Sequence, residues 1–378
     1  MNPGRSVGET GPVGIRTVGV EEELMLVDPV SGTPASAGDT VHEAAVARLG
    51  AGADHLVERE FKMEQTEIGS TPTTEVDALR DELRSVRRTV AAAAGSTGVH
   101  VVAIATNPFE VNPTLTKNER YARMADMFGI IAAQQLTCGQ HIHVAIESAQ
   151  EGVAVLDRIR GWLPLLIALS ANSPYWQGKD TGYASYRSIA WGQWPTAGPT
   201  ETFGSVEGYH RAINDLLATG AAMDDGMIYF DARLSASYPT LEIRVPDVCM
   251  DVRDSALIAA LARALVDTAS AEWRHGHPVD PIRIEVLRGA GWRAARFGLC
   301  GELLDHRTRT TVPAWAMIDA LVQHVLPALR ANGDLELVLE SVDRLRGTGT
   351  GADLQRAEFG RRGLLMDVVQ FAAQRTLE

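Results

Sequence analysis

Thr17-Val18-Gly19-Val20-Glu21-Glu22-Glu23-Leu24-Met25-Leu26-Val27-Asp28 reads as a β-strand with three carboxylates set into an apolar run. Strand side chains alternate between faces, so Glu21 and Glu23 share one face while Glu22 falls with Val18, Val20, Leu24 and Leu26 on the other. The two like charges then stand about 7 Å apart at a rise of ~3.3 Å per residue. Withdrawing such a pair from water raises both carboxylate pKa values unless a cation or basic group neutralises them. A divalent metal meets that need. The competing reading, an edge strand with solvated carboxylates, fits poorly with apolar neighbours on both sides.

Outward from this strand, a turn at Asp28-Pro29-Val30-Ser31-Gly32 leads to a helix over 40–49 and a strand over 56–68, on which Gln65 and Glu67 share a face. Thr74 and Asp77 resemble a capping box, and Val76, Leu79, Leu83, Val86 and Val90 recur at helical spacing. Together they predict a helix over 75–94 that ends at Gly95 and Gly98. Further strands are predicted over 99–105 and 136–146, and helices over 118–127, 151–171, 205–219 and 254–273. A hairpin over 227–234 and 240–245 turns Tyr229, Asp231 and Arg233 to one face, with Glu242 and Arg244 opposing Leu241, Ile243 and Val245. From about residue 280 the pattern is helical, at 283–291, 313–331, 334–346 and 353–375. Strands with charges on one face and apolar residues on the other predict an α+β fold, an antiparallel sheet with helices on its outer face and a polar floor in front. The expected organisation is a flexible lead-in over 1–14 and a single catalytic domain over 15–378 with a helical C-terminal third.

The chain has 378 residues, 45% hydrophobic and 22% charged, enough for a large core. A formal charge of −13, spread along the sequence, argues against a nucleic-acid binder. Three widely spaced cysteines, Cys138, Cys249 and Cys300, suggest neither a disulfide framework nor a paired-cysteine zinc site, and a reducing cytoplasm is the natural setting. The N-terminus lacks a signal-peptide core, and the most apolar stretch, Trp162 to Leu169, is too short to span a bilayer.

Cys138-Gly139-Gln140-His141-Ile142-His143-Val144 places two imidazoles on one strand face, where neutral histidine is a metal ligand or a hydrogen-bonded core residue. Alternation turns Cys138 the other way, so the remaining candidate donors are oxygens, which suit magnesium or manganese. Asp231, Arg233, Glu242 and Arg244 form either a surface salt-bridge ladder or a site for a metal and an anionic oxygen. The loop Gly182 to Pro199, with its aromatics and Arg187, is either a binding loop or a packed Ω-loop.

Four segments, Thr17 to Asp28, Cys138 to Val144, Gly182 to Pro199 and Thr240 to Asp247, together resemble the YbdK-like carboxylate-amine ligases, also called glutamate-cysteine ligase type 2, in order and spacing over nearly the whole chain. The resemblance implies a glutamine-synthetase-like catalytic fold whose curved antiparallel sheet binds metal ions and ATP. It further implies cytoplasmic, ATP-dependent joining of L-glutamate to L-cysteine through an acyl phosphate, giving γ-glutamylcysteine, in a homo-oligomer such as a dimer. By this similarity Glu21 and Glu23 serve two different metal ions, Glu67 one of them, and His141 and Glu242 the other. Arg187 and Arg244 match arginines near the substrate carboxylate or the transferring phosphate. Gln65, His143, Asp231 and Arg233 match surrounding or nucleotide contacts. The competing functions are a ligase for another acid or amine, an ATP-independent metal hydrolase, and a nucleotide- or metal-binding regulator.

Overall fold

The computed structural model describes residues 14–50 and 54–378, so all but Gly14 of the expected lead-in lies outside the described residues. Strands follow one another as β1 (Val18–Val27), β2 (Val57–Arg59), β3 (Gln65–Gly69), β4 (His100–Val102), β5 (Gln140–Ala145), β6 (Tyr175–Trp176), β7 (Lys179–Asp180), β8 (Ala232–Leu234), β9 (Thr240–Ile243), β10 (Glu302–Asp305) and β11 (Thr310–Pro313). Seven of them make one antiparallel sheet in the order β2-β3-β1-β5-β9-β8, with β4 pairing to the end of β1. The other strands form two small hairpins, β6 with β7 and β10 with β11. This is the α+β architecture expected from the charge alternation.

The apolar face of β1 explains its central place. Val18, Val20, Leu24 and Leu26 are fully buried, and the long helices Val76–Ser96 and Val252–Arg274 pack behind the sheet. Glu22 shares that face and is also fully buried. Both its oxygens accept from the Arg87 guanidinium, each at 2.8 Å, and Ser255 Oγ donates to it at 2.6 Å. Arg87 also donates to the carbonyls of Cys249 at 2.8 Å and Met250 at 3.0 Å. A buried charge thus meets a bidentate cationic partner and a hydroxyl donor, as burial in low dielectric demands.

Several boundaries depart from expectation. The strand expected over 56–68 is two strands, β2 and β3, folded back on each other so that Glu58 pairs with Glu67. Thr74 and Asp77 form no capping box. Glu75 is the N-cap residue and its N–H is taken by Thr73 Oγ1. The 151–171 helix divides into Ala149–Ile159 and Leu163–Ser170, and the 313–331 helix into Ala314–His324 and Leu326–Asn332. In both, a proline (Pro164, Pro327) begins the second piece, because a proline is accepted in a first turn and not in a helix interior. Gly363, at φ +71°, divides 353–375 into Gly351–Arg362 and Leu365–Arg375. The β10–β11 hairpin lies in the third expected to be wholly helical.

Candidate active site

Register lays the polar side chains in a row. Glu23 stands opposite Glu67 on β3, Glu21 opposite His141 on β5, His143 opposite Glu242 on β9, and Glu242 opposite Arg233 on β8. Opposed residues of antiparallel strands share a face, so this row floors a cavity of about 380 Å³. Its walls come from outside the sheet: Glu60 and Phe61 from the β2–β3 turn, Arg120, Tyr121 and Met124 from the helix Glu119–Phe128, Trp191 and Trp194 from the 182–199 loop, and Tyr238 from the β8–β9 turn. Asn118 caps that helix by accepting from Arg120 N–H at 2.8 Å.

Donor atoms converge in two sets, Glu21 with Glu67 and His141, and Glu21 with His143 and Glu242. Within each set all lie within 4.8 Å of one another. The partition differs from the one the resemblance implied. Glu21 belongs to both sets, and His143 takes the place beside Glu242 that was expected of His141. Glu23 is in neither set: one of its carboxylate oxygens accepts the Gly139 N–H, while the other stands 4.0 Å from His141 Nε2. Glu23 still lines the cavity beside Glu67.

The electrostatics are those of a site short of positive charge. Burial, aided by the charge of Glu60, pushes Glu23 up to about 7. Burial likewise raises Glu67, whose carboxyl group shares a hydrogen bond with Glu60. Glu21 goes the other way: burial opposes ionisation, yet contacts from His141 Nδ1 and His143 Nε2, each at 3.3 Å, hold it well below the usual carboxylate range. Burial and the nearby Arg244 bring His141 down to about 4, which leaves its imidazole neutral and able to ligate a cation at neutral pH. His143 is oriented by Thr240 Oγ1 at 3.0 Å, which directs Nε2 toward Glu21. Glu242 sits between Arg233, 2.7 Å away, and Arg244; against burial, these cations lower it to about 2.

Arg187 and Asp231 lie elsewhere than the floor. Both line a neighbouring cavity of about 240 Å³ that shares Trp191, Tyr229 and Arg244 with the first. Asp231 was expected to face the floor with Tyr229 and Arg233. However, β8 begins only at Ala232, so strand alternation does not reach back to it. Arg187 is the second residue of the short helix Tyr186–Trp191 capped by Ser185, and its backbone N–H donates to Ser173 Oγ at 3.0 Å. Its guanidinium donates to the carbonyls of Val245 at 3.2 Å and Arg244 at 3.3 Å while lying against Gly139, where a Cβ would come within 2.2 Å of it. Asp247 anchors this loop, accepting from Ser173 Oγ at 2.7 Å, Ser185 Oγ at 2.8 Å and Asn172 N–H at 2.9 Å. Gln65, expected on the floor beside Glu67, donates to Thr137 O at 2.8 Å and supports the cavity wall.

Glu60 went unrecognised in the sequence. Taken as part of one strand over 56–68 it points away from Glu67, and only the turn between β2 and β3 brings it back. Consecutive charges in Glu58-Arg59-Glu60 before Phe61 were the available signal.

The family model for glutamate-cysteine ligase family 2 matches residues 17–369. A Frankia alni protein with the provisional name glutamate-cysteine ligase 2-2 is 51% identical over 374 residues, covering 96% of this chain and 97% of its own. A Streptomyces coelicolor protein provisionally named glutamate-cysteine ligase 2 is 48% identical, covering 96% and 99%. Among solved structures, a glutamate-cysteine ligase from Francisella tularensis in complex with AMP superposes with a TM-score of 0.68 at 13% identity, over 96% of this chain and 89% of that one. At that identity the likeness is one of fold, the glutamine-synthetase-like fold expected from the four segments.

Proposed function

The chain belongs to glutamate-cysteine ligase family 2, and we propose on that footing that it is an ATP-dependent ligase that joins L-glutamate to L-cysteine. The observation that carries this reading is the pair of donor sets meeting at Glu21 in a cavity flanked by Arg233 and Arg244. ATP is the phosphoryl donor. The glutamate carboxylate takes its γ-phosphoryl group to give an acyl phosphate and ADP, and the cysteine amine then displaces phosphate to form the amide. Phosphoryl transfer depends on positioning and charge neutralisation more than on a nucleophilic side chain; the floor would position the reactants, and cations held on it together with Arg233 and Arg244 would neutralise the charge.

The residues fit divalent cations. Carboxylate oxygens dominate both sets, which favours magnesium or manganese over zinc, and Glu23 and Glu67 bear raised proton affinities that a cation would relieve. Glu21, Glu67 and His141 would hold one ion, and Glu21, His143 and Glu242 the other. Bound there, the ions would neutralise phosphate oxygens. Arg244, kept cationic by Glu242, faces the same cavity and offers charge to an anionic substrate group. Cys138 and Cys249 are buried free thiols whose burial raises their pKa values, so neither has the thiolate character of a nucleophile. Free thiols are also consistent with the cytoplasm as the working compartment.

The test is incubation of pure protein with Mg-ATP, glutamate and cysteine, following ADP release and product mass together. ADP should appear in step with γ-glutamylcysteine, and only when both amino acids are present. Absence of ADP release across a panel of carboxylate and amine pairs overturns the reading. Metal-dependent cleavage of an amide such as γ-glutamylcysteine without ATP indicates a metal hydrolase instead.

A further inference from the structure

The floor cavity owes one wall to an element with little core of its own. The helix Glu119–Phe128, which brings Arg120, Tyr121 and Met124 to the cavity, runs through Gly129 into a second, Ile130–Gln134, and in the two only Met124 and Ala132 are buried. Met127 and Ile130 face outward, 47% and 68% exposed. A segment with so few buried apolar contacts opens at low free energy unless its ends are fastened.

One turn reaches both ends. Residues 60–64, between β2 and β3, pair with 114–116 just ahead of the first helix. Met63 N–H donates to Thr114 O at 2.9 Å, Thr116 N–H to Phe61 O at 3.1 Å, Thr116 Oγ1 to Glu60 O at 2.6 Å, and Thr114 N–H to the Glu64 carboxylate at 2.9 Å. At the far end the turn meets the second helix through Lys62, whose Nζ donates to Ala133 O at 3.4 Å. That carbonyl belongs to the last turn of Ile130–Gln134, where it has no partner within the helix and a cation is favoured.

Lys62 is 1% exposed. Lysine is seldom buried to this degree without a carboxylate partner, and among the described residues no ion pair reaches it. Its surroundings are Ala133 O, the Phe61 ring with its centroid 4.7 Å from Nζ and, on its own turn, the charge of Glu64. An ammonium kept out of water costs stability, so an apolar side chain would serve the packing better. A cation in that place has a task other than filling space.

We propose that Lys62 is a positioning residue. From behind the wall it holds the end of the helix pair 119–134 to the turn that carries Glu60 and Phe61, and so keeps Arg120, Tyr121 and Met124 closed over the floor. It touches no reacting group. Without it the wall spends more time open, and ligands on the floor lose those contacts.

Hydrogen exchange read by peptide mass spectrometry tests this without turnover. In Lys62→Met, which keeps the stem and drops the charge, amides of 119–134 should exchange about tenfold faster than in the parent. Those of β1, β5 and the helix Val252–Arg274 should keep the parent's rates. The melting temperature should stay level or rise, because the variant no longer buries an ammonium. Lys62→Gln, also uncharged, carries the same exchange expectation and serves if Lys62→Met does not fold. In the ligase assay, the one measurement that depends on the ligase reading, the KM for MgATP should rise at least about fivefold with kcat within about threefold of the parent's, since a smaller closed fraction weakens apparent binding and leaves the saturated enzyme unchanged. A residue that only stabilised the fold would instead lower the melting temperature and leave KM where it was. Unchanged exchange over 119–134, acceleration spread evenly over the chain, or local acceleration with an unchanged KM overturns the assignment. Local acceleration in a protein that never releases ADP supports the clasp while removing the ligase reading.

Discussion

Glu21→Gln is expected to lower turnover by about 10³-fold, the ~4 kcal/mol that losing one preorganised charge contact at a developing charge costs. Glu21 is the residue the two donor sets have in common. Glutamine keeps the shape of the side chain and its room beside His141 and His143, but removes the negative charge that both positions draw on. Two consequences should be measured together with ADP release. The magnesium concentration for half-maximal activity should rise, and circular dichroism and melting temperature should stay near those of the parent, because Glu21 lies on the solvent-accessible face of β1 and not in its packed one. Turnover within tenfold of the parent would remove Glu21 from the metal floor.

Arg87→Met should have the largest effect on stability, about 3–5 kcal/mol, through a charge it leaves behind. The Glu22 carboxylate has no exposure to water, and with Arg87 gone only Ser255 remains, among the described residues, to donate to it. Adding Glu22→Leu removes the stranded charge and should recover much of the loss, since an apolar pair of similar volume often equals a buried ion pair. Recovery should be incomplete because the carbonyls of Cys249 and Met250 lose their shared donor. Urea midpoints for the parent, the single and the double variants read both effects. A double variant no more stable than Arg87→Met would mean that Arg87 acts through those carbonyls and not through Glu22.

The contrast between Glu21 and Glu22 was legible because strand alternation needs only neighbouring residues. The same local rule put His141 with His143 and identified Glu242, and these do share a floor. What alternation cannot supply is register. Whether His141 or His143 stands beside Glu242, and how Glu23 divides between Gly139 and His141, depends on how β1, β5 and β9 slide past one another, so the donor atoms group differently from the partition that the resemblance implies. Contacts distant along the chain were equally hidden: Glu22 gives no sign that its partner is Arg87, about three turns into a later helix. Turn chemistry accounts for Glu60 and Asp231. One was misdirected by reading a strand through the β2–β3 turn, the other by extending β8 past its start. The helix breaks at Pro164, Pro327 and Gly363 were present in the sequence, but overlooked in favour of continuous apolar periodicity.

The central claim is that the floor activates a carboxylate as an acyl phosphate, and it has a direct isotopic test. Glutamate labelled with 18O in its γ-carboxylate is incubated with the protein, Mg-ATP and cysteine, and the released phosphate is analysed by mass spectrometry. Phosphate should carry one 18O atom for each dipeptide formed, since the oxygen that attacks ATP leaves with the phosphate. Dipeptide formed alongside unlabelled phosphate would contradict the account.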